Sequence, residues 1–274
     1  MFIKNNSPLG AKIPYPKNYS SSLLHPIPRE KGRDMIKLDV KNGFYGEDIW
    51  NAYEISWLNL KGKPVVATAQ IVFQYDTKNI IESKSLKLYF NSMNQTKYES
   101  KAHFLSVIID DISNCAGGSV EVVIFELGDL CDKGLPAFSG ILLDDLDVMV
   151  EAYDPDPSLL DIEHTDKLVT ETLYSHLLKT NCPVTDQPDW ASIMIRYTGQ
   201  PIDRDGLLKY IISYRNQQDF HEQCVERIFL DISSSCLPND LEVYARYTRR
   251  GGLDINPYRS SKKMKPPLAR ISRQ

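Results

Sequence analysis

In "KTNCPVTDQPDW", Lys179 to Trp190, a cysteine stands between an asparagine and a proline, and an aspartate follows seven positions on, directly before a tryptophan. Pro183 keeps Cys182 out of helical backbone and in an extended or turn conformation, where functional groups tend to sit on a rigid scaffold. A thiol there has three readings: a small buried hydrophobe, a metal ligand, or a nucleophile. As a nucleophile it would have only a small thiolate fraction at neutral pH, yet high intrinsic reactivity. Asp189 is wedged between Pro188 and Trp190. Loss of water there would raise its carboxyl pKa toward values useful to a general acid, whereas the plain alternative is an exposed turn aspartate. Downstream, "FHEQC" puts His221 and Glu222 at the start of a helix, where the helix dipole alone accounts for a carboxylate.

A second group lies in the first half. "IESKSLKLYFNS", Ile81 to Ser92, places Glu82, Lys84 and Lys87 among serines at the end of a strand-like segment. Lysine with serine suits phosphate oxygens, unless the cluster is a solvated charged turn. "YTRRGGLDINPYRSS" sets Arg249 and Arg250 before Gly251 and Gly252. Glycine lets backbone amides approach a ligand, and arginine forks onto phosphate. Cys115, Cys131, Cys224 and Cys236 read as packing thiols, with Cys115 and Cys236 at nearly matching places in two repeats.

Those repeats are the elements that must position the groups. "LKLYFNSMNQ" from Leu86 aligns with "LKYIISYRNQ" from Leu208, and "IIDDISNCAGGSVEVV" from Ile108 aligns with "IFLDISSSCLPNDLEVY" from Ile228. An internal duplication follows. In each copy, alternating apolar stretches ("PVVATAQIVFQY", "WASIMIRY") predict antiparallel strands. Helical periodicity follows in "SKAHFLSVIIDDISNC" and "QDFHEQCVERIFLDISSS", and a further strand closes each copy. That is an α+β module used twice. The stretch from Leu143 to Asp166 carries nine carboxylates and no Lys or Arg, which predicts extended, solvated backbone and a boundary near residue 155. The modules would then be 1–155 and 156–274, the second ending in a solvated basic tail over its last twenty residues.

A net charge of -4 excludes nucleic acid as the main partner, since phosphate binding comes with a basic excess. No stretch reaches eighteen apolar residues, so no membrane span is expected, and the proline-rich N-terminal segment has no signal-peptide pattern. Five cysteines without C-x-x-C spacing point to reduced thiols in the cytoplasm. No dinucleotide fingerprint, phosphate-binding loop or zinc spacing is present, so a nucleotide cofactor must bind outside a Rossmann module.

"ESKSLKLYF", "NCPVTDQPDW", "FHEQCVERI" and "RRGGLDINPYRS" together resemble, in order, the blocks of the NADPH-dependent 7-cyano-7-deazaguanine reductases, the nitrile reductases of queuosine biosynthesis. The resemblance spans residues 40 to 261 and matches the long form, two tandem tunnelling-fold (T-fold) modules of antiparallel sheet backed by helix pairs. It implies that Cys182 adds to the nitrile carbon as a thioimide, that Asp189 donates the proton, and that His221 and Glu222 lie against the substrate. Ile81, Glu82 and Ser83 would contact the substrate, Glu82 gripping the purine-like base. Ser83, Lys84, Arg250 and Gly251 would contact NADPH. It also implies a homodimer, no metal, and a site to which each half contributes, with Arg204 standing near the place that matches Glu82. The competing enzyme class is a GTP-cyclohydrolase-like T-fold protein, whose zinc site the cysteine spacing does not supply. The non-catalytic alternative is a purine-binding module.

Overall fold

The computed structural model describes residue 16 and residues 18–38, 43–127, 137–266 and 270–274. Cys131 and residues 1–15 lie outside them. The described chain forms two compact units. The first is Met1–Asp34, Asp48–Gly134 and Arg249–Ile255; the second is Met35–Glu47, Leu135–Thr248 and Asn256–Gln274.

The division therefore falls after Gly134, not near residue 155, and it is not a single cut. The start of the acidic stretch directly follows β6 (Ile141–Leu142) and is tied to its sheet: Leu143 is fully buried and its N–H donates to the Tyr174 carbonyl at 2.9 Å. Residues 249–255 join the first unit because Tyr53 N–H donates to the Gly252 carbonyl at 2.9 Å, while Asn51 and the Tyr53 hydroxyl both donate to the Asp254 carboxylate. Arg250 and Gly251 thus belong to the same unit as Lys84.

The first unit holds β1 (Pro26–Pro28), α1 (Arg29–Met35), β2 (Tyr45–Leu58), β3 (Pro64–Gln74), β4 (Asn79–Ile81), α2 (Ser83–Met93), α3 (Lys101–Ala116) and β5 (Val120–Phe125). Its sheet runs β5-β3-β2, with β3 and β5 antiparallel from Thr68↔Phe125 to Phe73↔Val120. Phe104, Ile108 and Ile112, four residues apart on α3, form one buried stripe that faces the Trp50, Ile71 and Phe73 side of the sheet. Ser100 caps the start of α3 by accepting from His103 N–H, and Gly117, left-handed at φ 66, ends it. Sequence reasoning placed Glu82–Lys87 at a strand end. Only Ile81 is strand; Glu82 caps a helix that begins at Ser83.

The second unit holds β6 (Ile141–Leu142), β7 (Val169–Ser175), β8 (Lys179–Asn181), β9 (Pro188–Gly199), α4 (Arg204–Ser213), α5 (His221–Cys236), β10 (Asp240–Tyr247) and β11 (Leu253–Ser260). Its strands are ordered β11-β10-β9-β7-β6, with β8 added to β9, and all pair antiparallel except β6 with β7. The last twenty residues are a solvated tail only in part: Ser261–Lys265 are exposed, whereas the residues before and after them are tied down. Arg259 lies buried in β11 against Glu226 at 2.8 Å, and the Gln274 side chain is buried against Arg246, Asn256 and the Tyr247 carbonyl.

The duplication survives as bonds. Tyr89 donates to Asp111 at 2.7 Å between α2 and α3, and Tyr210 donates to Asp231 at 2.6 Å between α4 and α5. Ser92 and Ser213 each return a hydroxyl to those tyrosines' carbonyls at 2.6 Å. Each pair ties two helices at the same point of an α+β unit. No described helix is long and apolar enough to cross a membrane.

Candidate active site

In the second unit the site rests on one hairpin. β8 and β9 pair with Thr180 opposite Asp189 and Asn181 opposite Pro188. Residues directly opposite share a face, and faces alternate along a strand. Thr180 and Asp189 are 0% and 3% exposed, and the next residue on that face of the first strand is Cys182, at 9%. The loop between is pinned at its neck. Cys182 N–H donates to the Gln187 carbonyl at 2.9 Å and Asp186 N–H to the Cys182 carbonyl at 3.0 Å, while Asp186 takes a left-handed φ of 58. The Gln218 amide donates to the Asp186 carboxylate at 2.9 Å, and Asn181 N–H donates to the Gln217 carbonyl at 2.8 Å. These bonds tie the cysteine turn to the segment that leads into α5.

Two residues further along β9, Ala191 pairs with Tyr247 of β10, so Tyr247 joins the same face as Asp189. α5 then brings its first turn over that face. His221 Nε2 lies 3.3 Å from Asp189 Oδ2, and its ring stacks on Tyr247 with centroids 3.7 Å apart and planes 11° apart. His221 Nδ1 is buried and makes no hydrogen bond among the described residues. Glu222, next on the helix, is 3% exposed. Behind them, burial pushes the Cys224 thiol up to about 12, with Asp219 and Asp189 adding to the rise and Tyr247 and Arg227 opposing it. Burial also holds the Tyr247 hydroxyl well above its usual value, reinforced by Cys224 and Asp189. Neither group ionises near neutral pH. The structure thus brings Asp189 and His221 together and sets Cys182 on the Asp189 face.

The first unit holds the other sequence-identified residues. Ile81 ends β4, which is held by β1 in the register Pro26↔Ile81. Glu82, 1% exposed, accepts from Lys84 N–H at 2.7 Å on Oε1 and from Ser85 N–H at 2.8 Å on Oε2. Burial raises its pKa against the opposing pull of those two amides and Lys84. The counterpart in the second unit is Asp203, which caps α4 through Asp205 and Gly206 N–H at 3.3 and 3.1 Å. Asp203, not Arg204, therefore matches Glu82. Aspartate is an ordinary cap and glutamate is not, so the longer, more deeply buried carboxylate carries more than capping requires.

Gly251 and Gly252, at φ 58 and 80, form the two central residues of a tight turn closed by Arg250 and Leu253, each donating to the other's carbonyl. Left-handed φ at both positions makes glycine the residue of choice there whatever else the turn does. A Cβ on Gly251 would sit 3.3 Å from Lys87 Nζ. Beside the turn an open-sided hollow is lined by Glu54, Lys87, Asn91, Gly251 and Gly252 together with the apolar Ala52, Ile55, Phe90 and Leu253. Lys87 pairs there with Glu54 at 3.4 Å. In the free protein the hollow is too shallow to enclose a dinucleotide. Its lysine, glycine turn and neighbouring Lys84 and Arg250 suit phosphate.

Comparison with known proteins agrees with this layout. Residues 15–124 match the family model described as "Nitrile reductase, 7-cyano-7-deazaguanine-reductase N-term", and residues 188–266 match one described as "QueF-like protein". A protein of Cupriavidus metallidurans named "NADPH-dependent 7-cyano-7-deazaguanine reductase" is 54% identical over 95% of both chains. The chain belongs to the 7-cyano-7-deazaguanine reductase family. Proteins of the same name from Azoarcus sp. and Chromohalobacter salexigens are 53% and 49% identical, over 93% and 98% of this chain and 90% and 97% of theirs. A solved archaeosine synthase of QueF-like type, in the apo form, is 16% identical over 37% of this chain and 99% of its own, with a TM-score of 0.32, too distant to argue from.

Sequence reasoning named Glu82 but not its role as a helix cap matched by Asp203, and it did not single out Tyr247 or Thr180, which lie on the Asp189 face. Tyr247 was findable: in "DLEVYARY" the alternation Leu241, Val243, Ala245, Tyr247 marks one inward face, and only its last member is polar.

Proposed function

We propose that this protein reduces the nitrile of 7-cyano-7-deazaguanine to the aminomethyl group with NADPH, in queuosine formation, through a covalent adduct on Cys182. The observation that carries the reading is the β8–β9 hairpin. Cys182 directly follows β8 and Asp189 lies in β9, both are buried, and His221 Nε2 is 3.3 Å from the Asp189 carboxylate, which supports the reading. A nitrile is a poor hydride acceptor. When the Cys182 sulfur adds to the nitrile carbon, one C–N π bond breaks and the nitrogen takes a proton from Asp189, giving a thioimide. NADPH supplies hydride when bound, and two are consumed in turn. Once its carbon is reduced, the adduct would break its C–S bond, returning the thiolate to Cys182 and leaving a C=N bond, whose reduction in turn takes a hydride at carbon and a proton at nitrogen. Burial around Asp189, His221 and Glu222 keeps water from that imine. The His221 Nδ1 without a bond and the acidic Glu222 suit the polar edge of a deazaguanine, which offers N–H donors, and Glu82 of the other unit is a further proposed substrate contact of the same chemistry.

Ser83, Lys84, Arg250 and Gly251 are the proposed cofactor contacts; Lys84, Arg250 and Gly251 lie in one unit with Lys87 and the glycine turn. Each unit reads as a tunnelling-fold module, since each pairs an antiparallel sheet with two helices joined by the same Tyr–Asp bond. We further read the protein as a homodimer acting in the cytoplasm, where its described cysteines, all unbridged, stay reduced.

The test follows NADPH absorbance on mixing protein, NADPH and substrate. Two NADPH should be consumed per nitrile. Intact-protein mass spectrometry without NADPH should show one substrate mass added per chain, and none in Cys182→Ala. Asp189→Asn should bind substrate yet form the adduct slowly. An undiminished adduct in Cys182→Ala would falsify the nucleophile.

A further inference from the structure

Tyr247 faces the site without being one of the residues that sequence reasoning put there. It is 1% exposed, ends β10, and presents its ring flat to His221 at 3.7 Å and 11°. Offset or tilted packing is the ordinary outcome for two rings, so a near-parallel contact this close restrains the imidazole strongly. The imidazole cannot turn edge-on without driving into the phenol. That fixes the plane in which Nε2 meets Asp189 Oδ2 at 3.3 Å and in which Nδ1 points away from it.

The tyrosine itself is held from three sides. Its backbone pairs with Ala191, two residues from Asp189. Its carbonyl accepts from the Gln274 amide at 3.1 Å, and that amide's own position is set by Arg246 and Asn256. Its ring is buried on the face that Asp189 shares with Thr180, the residue opposite it. The ring therefore links the strand that carries the aspartate to the helix that carries the histidine.

We infer that Tyr247 is a positioning residue of the nitrile reduction: its ring sets the plane of His221 so that the imidazole and Asp189 act on the substrate nitrogen as a fixed pair. The ring does this; the hydroxyl is buried and makes no hydrogen bond among the described residues. The inference rests on the proposed function for its catalytic meaning, but not for its geometry.

Two measurements test it. In the wild-type protein, proton NMR of the five histidines should show one imidazole displaced upfield by the face of an aromatic ring, absent in His221→Ala and retained in Tyr247→Phe. A His221 signal at the ordinary position overturns the inference, whatever the protein catalyses. In steady-state assays Tyr247→Phe should keep kcat within about threefold. Tyr247→Leu should lower kcat roughly tenfold with KM for NADPH unchanged, as expected when an interaction realised in the transition state is lost. In a His221→Ala background the same Tyr247→Leu change should cost nothing further, because residues that act through one another are not additive. An equal loss in both backgrounds, or a Phe variant as impaired as the Leu variant, overturns it. If the wild type turned over no nitrile, the functional reading would fall instead, and the NMR result would still decide the contact.

Discussion

Replacing Glu82 with glutamine puts an N–H₂ group where one carboxylate oxygen now accepts a backbone N–H. Lys84 N–H lies 2.7 Å from Oε1 and Ser85 N–H 2.8 Å from Oε2, so one bond is lost outright and the other keeps a neutral acceptor. Bonds to charged groups contribute about 1.5–3 kcal/mol net. Part of that loss is offset, because burial already disfavours the charge on Glu82 and raises its pKa. A net destabilisation of about 1 kcal/mol follows, or roughly 3–5 °C in Tm for a unit of this size. Asp203→Asn is the matched control. Its cap bonds are longer, at 3.3 and 3.1 Å, and Asp203 is half-buried, so its cost is about 0.5–1 kcal/mol.

The two substitutions should part in function. If Glu82 also accepts N–H groups of the base, its glutamine variant loses a charge-assisted contact to the ligand, and KM for the nitrile rises about ten- to a hundredfold. Asp203→Asn should leave KM unchanged. Thermal unfolding gives the first quantity and NADPH consumption against substrate concentration the second. If Glu82→Gln loses stability but keeps its KM within about twofold, Glu82 is a helix cap and nothing more.

Leu237 ends α5 in left-handed backbone at φ 46 and is 76% exposed, where α3 ends on Gly117. Leu237→Gly removes a strain of about 1 kcal/mol and should raise Tm by a few degrees; an unchanged or lower Tm would refute strain at that position. Cys224 is lifted by burial from 9.0 to about 12, so its contribution to folding is intact below pH 9 and is lost as pH climbs toward 12. By pH 10 this reaches about 1.4 kcal/mol, and the wild-type denaturation midpoint should fall between pH 8 and 10 more steeply than that of Cys224→Ala. Parallel slopes would mean that the thiol is not sealed.

The strands and helices were legible because their cores are periodic. "PVVATAQIVFQY" became β3 and "SKAHFLSVIIDDISNC" became α3 within a residue or so, since alternation and fourfold spacing are written into the chain. What escaped depends on pairing over long distances in sequence. Nothing local in "RRGGLDINPYRS" says that Gly252 will bond Tyr53, two hundred residues away, and so take Arg250 into the first unit. Nothing in "LDDLDVMV" says that Leu143 will close a sheet edge, because carboxylates around it mask one buried side chain. Glu82 was misplaced for a different reason. "IESKSL" has the apolar start of a strand and the cap of a helix in adjacent residues, and the cap prevailed because two backbone amides needed an acceptor.

The arrangement around the helix starts was not legible in the sequence, and the two caps show why. A duplicated chain begins with equivalent positions under equivalent demands. At the helix start that demand is an acceptor for two amides, which Asp203 meets with a side chain of ordinary length in a half-buried setting. Glu82 meets the same demand with one more methylene and 1% exposure, at the cost of a carboxylate held in conditions that burial makes unfavourable. Stability alone would not select that difference. On the proposed function, this difference between the two caps is what a copy with a second task would show, and it is present in the free protein.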